Sequence, residues 1–150
     1  MRQVSTTFRG GYFSYGKRFI EQIPIASASL AQQGLIVRIV DHLLWLSRCF
    51  QTPLERKTAR DALMLGYFEQ VLNGLVYEIY FPEELHIKGL HLFDLASATM
   101  LADMTSVPEL ERLTRLRAEF ESIYDTNHPL RGALHTLRSL ETIRTIEGEP

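Results

Sequence analysis

The sequence predicts a mostly α protein, a bundle of about five helices that follows an irregular, partly extended N-terminal arm. After residue 27, apolar residues recur at spacings of three and four, the period of helices with one buried face. Prolines stand where these periodic stretches end or begin. Residues 1–26 lack this period and are rich in glycine and aromatic residues. We therefore divide the chain into an arm, residues 1–26, and a helical bundle, residues 27–150.

The helices can be assigned in order from these patterns. Their expected ranges are 30–50, 53–80, 90–104, 106–124 and 130–143. Ser27 or Ser29 caps the first helix, and the acidic segment 82–85 forms a single turn after the second. The second helix is apolar almost all round in its later part, which predicts a central position. Gly66 and Gly74 lie near one face of it and are expected to let another helix approach closely.

The fourth of these helices is the clearest amphipathic one. Its apolar residues are expected to point inward and its charged residues outward. The outward set is Arg112, Arg115, Glu119 and Glu121.

Composition bounds the class of protein. A chain of 150 residues with 45% apolar residues is long enough for one ordinary globular domain. It has no apolar run long enough to span a bilayer and no apolar signal-peptide core at its start. A single cysteine, Cys49, cannot form an internal disulfide and lies in a predicted apolar helix, where a buried filler is expected. These features favour a cytoplasmic protein.

Charge is distributed unevenly along the chain. The net charge is -2, but residues 1–25 hold four bases and one acid, whereas residues 82–125 hold four bases and nine acids. Contact with phosphates is therefore expected in the first segment, with Arg56, Lys57 and Arg60 as further candidates.

Bases, hydroxyls and aromatic rings interleave within the arm. Lys and Arg neutralise phosphates, Ser and Tyr hydroxyls bond phosphate and sugar oxygens, and flat rings lie against sugars or exposed bases. The composition is typical of phosphate binding, with a basic arm of no special purpose as the plain alternative. The residues expected to make these contacts are Arg9, Tyr12, Ser14, Tyr15, Lys17 and Arg18.

Three runs of the sequence also resemble one family. RGGYFSYGKRFIEQIPI, residues 9–25, is similar to the closing segment of target-recognition domains in type II restriction-modification enzymes, the long single-chain kind with an adenine-type DNA methyltransferase. The apolar-Pro-apolar segment at 23–25, followed by a long helix, also resembles the layout that closes recognition domains of type I specificity subunits. The second run is YEIYFPEELH (77–86) with GLH (89–91). The third is YDTNHPLR (124–131) with LRSLET (137–142).

The resemblance implies a non-catalytic C-terminal part of such an enzyme. The whole enzyme would transfer a methyl group from S-adenosylmethionine to a base, with adenine N6 expected, and a magnesium-dependent nuclease would accompany it in some members. The implied partners are double-stranded DNA and an upstream methyltransferase domain. The chain has no Asn-Pro-Pro-Tyr-like run and no Gly-rich cofactor loop, and Glu55-Arg56-Lys57 lacks the strand that a nuclease motif needs. No cofactor site is expected in this chain.

A second hypothesis comes from another class of function. The bundle would be a protein-interaction or spacer module that docks the methyltransferase against a nuclease, a helicase or a second copy of the chain. That hypothesis predicts an exposed apolar helix face and no affinity for DNA.

Catalytic and metal-binding constellations are weak in this sequence. Glu83, Glu84, His86 and His91 lie close together but do not match a zinc-ligand spacing, so we expect no metal site and assign the two glutamates to a helix first turn. His135 precedes Ser139 by four residues without the third group that a triad requires. We therefore predict no catalytic residue.

Overall fold

The computed structural model describes residues 6–7, 13–14, 21, 24–51, 57–99 and 103–149. Within these ranges seven α-helices form the bundle, which confirms the mostly α fold. They are α1 Leu30–Cys49, α2 Ala59–Tyr80, α3 Pro82–Ile87, α4 Leu92–Thr99, α5 Glu109–Ile123, α6 Pro129–Arg138 and α7 Glu141–Glu147, with a 3₁₀ turn at Met104–Ser106 between α4 and α5. None of the described helices combines the length and apolar character needed to cross a membrane.

The two long helices start at reciprocal caps. Ser29 accepts a hydrogen bond from the Gln32 backbone N–H at 3.2 Å, and the Gln32 side chain accepts one from Ser29 N–H at 2.8 Å. Thr58 and Asp61 make the same arrangement at the start of α2. Such capping boxes satisfy amide groups that the first helical turn leaves without partners.

Helix α2 lies at the centre of the bundle, as its all-round apolar pattern predicted. It packs against α1, α4, α5 and α6. Its Met64, Phe68, Val71 and Leu75 are almost completely buried. The core around them is formed by Ile39 and Leu46 of α1, Leu92 and Ala96 of α4, Leu116 and Phe120 of α5, and Leu130 and Leu134 of α6.

The prediction for the glycines of α2 is confirmed at one position only. A Cβ added at Gly74 would lie 3.0 Å from Leu134 Cδ2 and 3.1 Å from Leu92 Cδ1, so two helices approach α2 there. A Cβ at Gly66 would meet nothing within 4 Å. Only Gly74 is therefore required for close packing.

Helix boundaries differ from the expected ranges at several places. Helix α2 begins at Ala59, not near residue 53. In the segment expected at 90–104 the described helix is Leu92–Thr99, residues 100–102 lie outside the described part of the chain, and a 3₁₀ turn begins at Met104. The acidic turn is a six-residue helix, α3. The last predicted helix is two helices. The Ser139 hydroxyl donates to the Thr136 carbonyl after α6, and Leu140 is the N-cap of α7. These local bonds compete with helix continuation.

The outward position predicted for Glu119 is wrong. Its side chain is half-buried, and Oε1 accepts no hydrogen bond from any residue in the described ranges. Burial raises the pKa of this carboxyl to about 7, against a smaller opposing effect of Arg115.

At the N-terminus, two strands form an antiparallel pair. Strand β1, Thr6–Thr7, pairs with β2, Phe13–Ser14, with Thr6 opposite Ser14. The pairing agrees with the partly extended arm that the sequence predicts. The arm–bundle boundary at residue 26 stays a prediction.

Candidate nucleic-acid interface

Helix α6 presents three basic side chains on one face. Pro129 occupies its first turn, and the Leu130 N–H donates to Nδ1 of His128, which fixes where the helix begins. From there Arg131, His135 and Arg138 follow at spacings of four and three, so they share one side of the helix. A neighbouring side of the helix, with Leu130, Leu134 and Leu137, is buried.

The basic face borders a groove between α2 and α6, which we call the α2–α6 groove. Its volume is about 570 Å³. The lining residues are Ala62, Leu63, Gly66, Tyr67, Gln70, Tyr124, Thr126, Arg131, Gly132, Leu134, His135 and Arg138. This set contains two arginines and a histidine and neither Asp nor Glu. The described lining of the groove is therefore electropositive.

Arg131 is held in place by Tyr124. Its Nη1 donates to the Tyr124 carbonyl, and its guanidinium lies 4.1 Å from the centroid of the Tyr124 ring. Tyr67 packs edge-on against the same ring at 5.1 Å and donates its hydroxyl to the Ile123 carbonyl at 2.9 Å. Burial raises the pKa of Tyr67 to about 12, so it stays a donor. A cation stacked on a fixed aromatic ring loses little freedom when it binds an anion.

Arg138 and His135 are more exposed than Arg131. Nη2 of Arg138 lies 3.5 Å from Oε1 of Glu149, and both side chains are about half exposed. A contact of that length between exposed groups contributes little, so a phosphate can replace it. His135 adds charge only when it is protonated.

Two other arginines near the groove are paired with carboxylates and stabilise the fold. Arg117 makes bidentate hydrogen bonds of 2.8 and 2.9 Å to buried Asp61, and these hold the pKa of Asp61 at about 2. Arg60 makes a bidentate pair of 2.7 and 2.6 Å with Glu121. Its guanidinium also lies 5.1 Å from the Phe120 ring centroid. Arg60, which the sequence suggested as a phosphate contact, is therefore already paired with Glu121.

The residues predicted in the arm lie almost entirely outside the described part of the chain. This applies to Arg9, Tyr12, Tyr15, Lys17 and Arg18 and also to Arg56. For Ser14 the structure describes the backbone, in strand β2. Lys57 is exposed at the entry to α2. The roles of these residues stay predictions.

Sequence reasoning missed the basic face of α6. The signal was present, because PLRGALHTLR, residues 129–138, has bases at positions that share a helix face and no acid. The third run of the family resemblance supplies Tyr124, Thr126, Arg131 and Arg138 to the groove lining. Comparisons of the chain with protein-family models, with curated proteins and with solved structures give no significant match.

Proposed function

We propose that this chain is a non-catalytic DNA-recognition and support module of a restriction-modification DNA methyltransferase. The observation that carries the proposal is the electropositive α2–α6 groove, with Arg131, His135 and Arg138 along one helix face. Arginine side chains bind phosphate oxygens through paired N–H groups, and most protein–DNA hydrogen bonds go to phosphates and sugars. The family resemblance supplies the class of parent enzyme.

The module would contact DNA through two surfaces. Arg9, Tyr12, Ser14, Tyr15, Lys17 and Arg18 of the arm would complete a target-recognition domain. The α2–α6 groove would bind the backbone of the same double-stranded DNA. Methyl transfer from S-adenosylmethionine to adenine N6, and any magnesium-dependent cleavage, would belong to upstream parts of a cytoplasmic enzyme. The bundle would support those parts.

The test is a salt titration of binding to a non-specific DNA duplex. The native chain is compared with Arg131→Gln/Arg138→Gln, with the arm variant Lys17→Ala/Arg18→Ala, and with Lys88→Ala as a control. Lys88 is an exposed base outside the groove lining. Each double variant should flatten the plot of log affinity against log salt by about 1.8, the value for two lost phosphate contacts. The control should leave the slope unchanged.

Arg131 is partly structural, so Arg138→Gln alone is measured as well and should flatten the slope by about 0.9. Circular dichroism verifies that each variant is folded. If no chain binds at low salt, the DNA-binding proposal is wrong. If only the arm variant changes the slope, the α2–α6 groove has no part in binding.

The docking hypothesis is the second candidate, and one observation favours it. Leu30, Val37 and Leu44 are 86%, 55% and 50% exposed and recur every seven residues along α1. A heptad-spaced apolar stripe is the kind of surface that packs against another helix. Failure of all chains to bind DNA, combined with association through α1, would favour this function.

A further inference from the structure

Three metal-ligating side chains converge where α2, α3 and α4 meet. Glu78 comes from the last turns of α2, His86 from α3, and His91 from the residue before α4. One donor atom from each of them lies within 4.8 Å of the other two. We call these three residues the Glu78 cluster.

Glu78 is the fixed member of the cluster. It is only 5% exposed, and its Oε2 accepts a hydrogen bond from the Phe93 N–H at 2.9 Å. Its Oε1 lies 2.7 Å from Nε2 of His86. Burying a carboxylate is costly unless each oxygen has a partner. Because the backbone N–H holds one oxygen, the other faces the histidines in a defined position, as the oriented ligands of metal sites do.

The two histidine side chains are exposed, so their rings have room to rotate. Their rings stack with centroids 4.5 Å apart and planes at 21°. Imidazole coordinates a metal in the plane of its ring, so nearly parallel rings do not both point at one ion. A rotation of the exposed His91 ring would correct this. The exposure of both rings also leaves an open coordination position on the solvent side.

We propose that the Glu78 cluster binds a divalent transition-metal ion of the zinc type. Two imidazoles and one carboxylate, with an open fourth position, are a donor set that Zn²⁺ uses. With bonds of about 2.0–2.2 Å, a tetrahedral ion holds its ligand atoms about 3.4 Å apart. Glu78 Oε1 and His86 Nε2, now 2.7 Å apart, would therefore separate by about 0.7 Å, and the ion would replace the hydrogen bond between them.

The spacing of these three residues along the sequence does not predict the site. Glu83 and Glu84 are nearer to the histidines along the chain, but they lie in the first turn of α3 and are not in the cluster. Glu78 precedes His86 by eight residues, and the break at Phe81 turns α3 back toward it. The inference does not depend on DNA binding.

The experiment is a calorimetric titration of the metal-stripped 150-residue chain with Zn²⁺. We expect one ion per chain. His91→Gln and Glu78→Gln should each weaken the affinity by more than about 100-fold, beyond the usual cost of losing a second-shell partner. Glu83→Gln is the matched control, because it removes a nearby exposed carboxylate outside the cluster, and it should leave the affinity unchanged. Co²⁺ should show visible absorption bands of a four-coordinate ion in the native chain.

His91 is exposed, so His91→Gln tests the proposal even if Glu78→Gln fails to fold. The proposal is overturned if the native chain binds no Zn²⁺, or if His91→Gln binds it as tightly as the native chain does. Equal losses for Glu78→Gln and Glu83→Gln would also overturn it, because the ion would then be attracted only by surface charge.

Discussion

The bond between Asp61 and Arg117 should be a main electrostatic contribution to the stability of the bundle. Asp61 is buried at the start of α2, caps that helix with Thr58, and accepts hydrogen bonds from Nε and Nη2 of Arg117 in α5. Lowering a carboxyl pKa from 3.8 to about 2 corresponds to about 2.4 kcal/mol at neutral pH. The Arg117 side chain is 41% exposed, so solvent screening reduces the stabilisation from the Asp61–Arg117 pair to about 1–2 kcal/mol.

A double-mutant cycle measures the coupling free energy between Asp61 and Arg117. Native, Asp61→Asn, Arg117→Gln and the double variant are unfolded in urea at pH 7. The exposed Arg60–Glu121 pair, which has the same bidentate geometry, gives a matched cycle with a smaller coupling. A coupling of less than about 0.5 kcal/mol for Asp61 and Arg117, or equal couplings for the two pairs, would refute the reasoning.

The pH dependence gives the same prediction a second readout. The folded-state pKa of Asp61 is depressed, so its contribution is fully present above about pH 4 and is lost as the pH falls toward 2. The native chain should therefore lose this part of its stability in that window. The Asp61→Asn variant, which has no proton to gain there, should not.

Two further predictions concern glycine packing and a buried acid. Gly66→Ala should stabilise the chain to urea by about 1 kcal/mol, because alanine favours the helix and nothing lies near its Cβ. Gly74→Ala meets two leucine methyl groups and should be about 1–3 kcal/mol less stable than Gly66→Ala; equal stabilities would contradict this. Burial of Glu119 should favour folding below pH 4.5 and oppose it as the pH rises through 7. Glu119→Gln should therefore gain up to about 3 kcal/mol at pH 8 and little at pH 4.5, whereas Glu69→Gln, on the exposed side of α2, should show no such gain.

The helices could be predicted because their apolar spacing reflects burial on one face, and the cap at Ser29 marks a clear start. The cap at Thr58 was not predicted, so the start of α2 was placed too early. The ends after residue 90 were harder to predict. There the end of a helix depends on a single hydrogen bond, such as the one from the Ser139 hydroxyl that ends α6. Such a bond competes with continuation of the helix, and the local sequence favours both about equally. Glu119 was misplaced because sequence periodicity gives the direction of a side chain but not how closely a neighbouring helix covers it.

The two candidate sites depend on contacts between distant residues. Tyr67 and Arg131 reach the same groove from α2 and α6, and no spacing rule connects positions so far apart. Glu78 joins His86 and His91 only because the chain reverses after Phe81. The basic positions of α6 follow from local spacing, whereas the residues that line the groove beside them are known only from the folded arrangement.

One hydrogen bond fixes where the arm meets the bundle, and it sets the span between the two surfaces proposed to contact DNA. The Tyr80 hydroxyl donates to the Pro24 carbonyl at 3.3 Å, so the arm joins the bundle at the C-terminal end of α2. The α2–α6 groove lies around Gly66, fourteen residues earlier, or about 21 Å along the helix axis. With a rise of 3.4 Å per base pair, the base of the arm and the groove stand about six base pairs apart. If the chain binds DNA as proposed and α2 lies along the duplex, the base of the arm and the groove would meet opposite ends of a short stretch of that duplex.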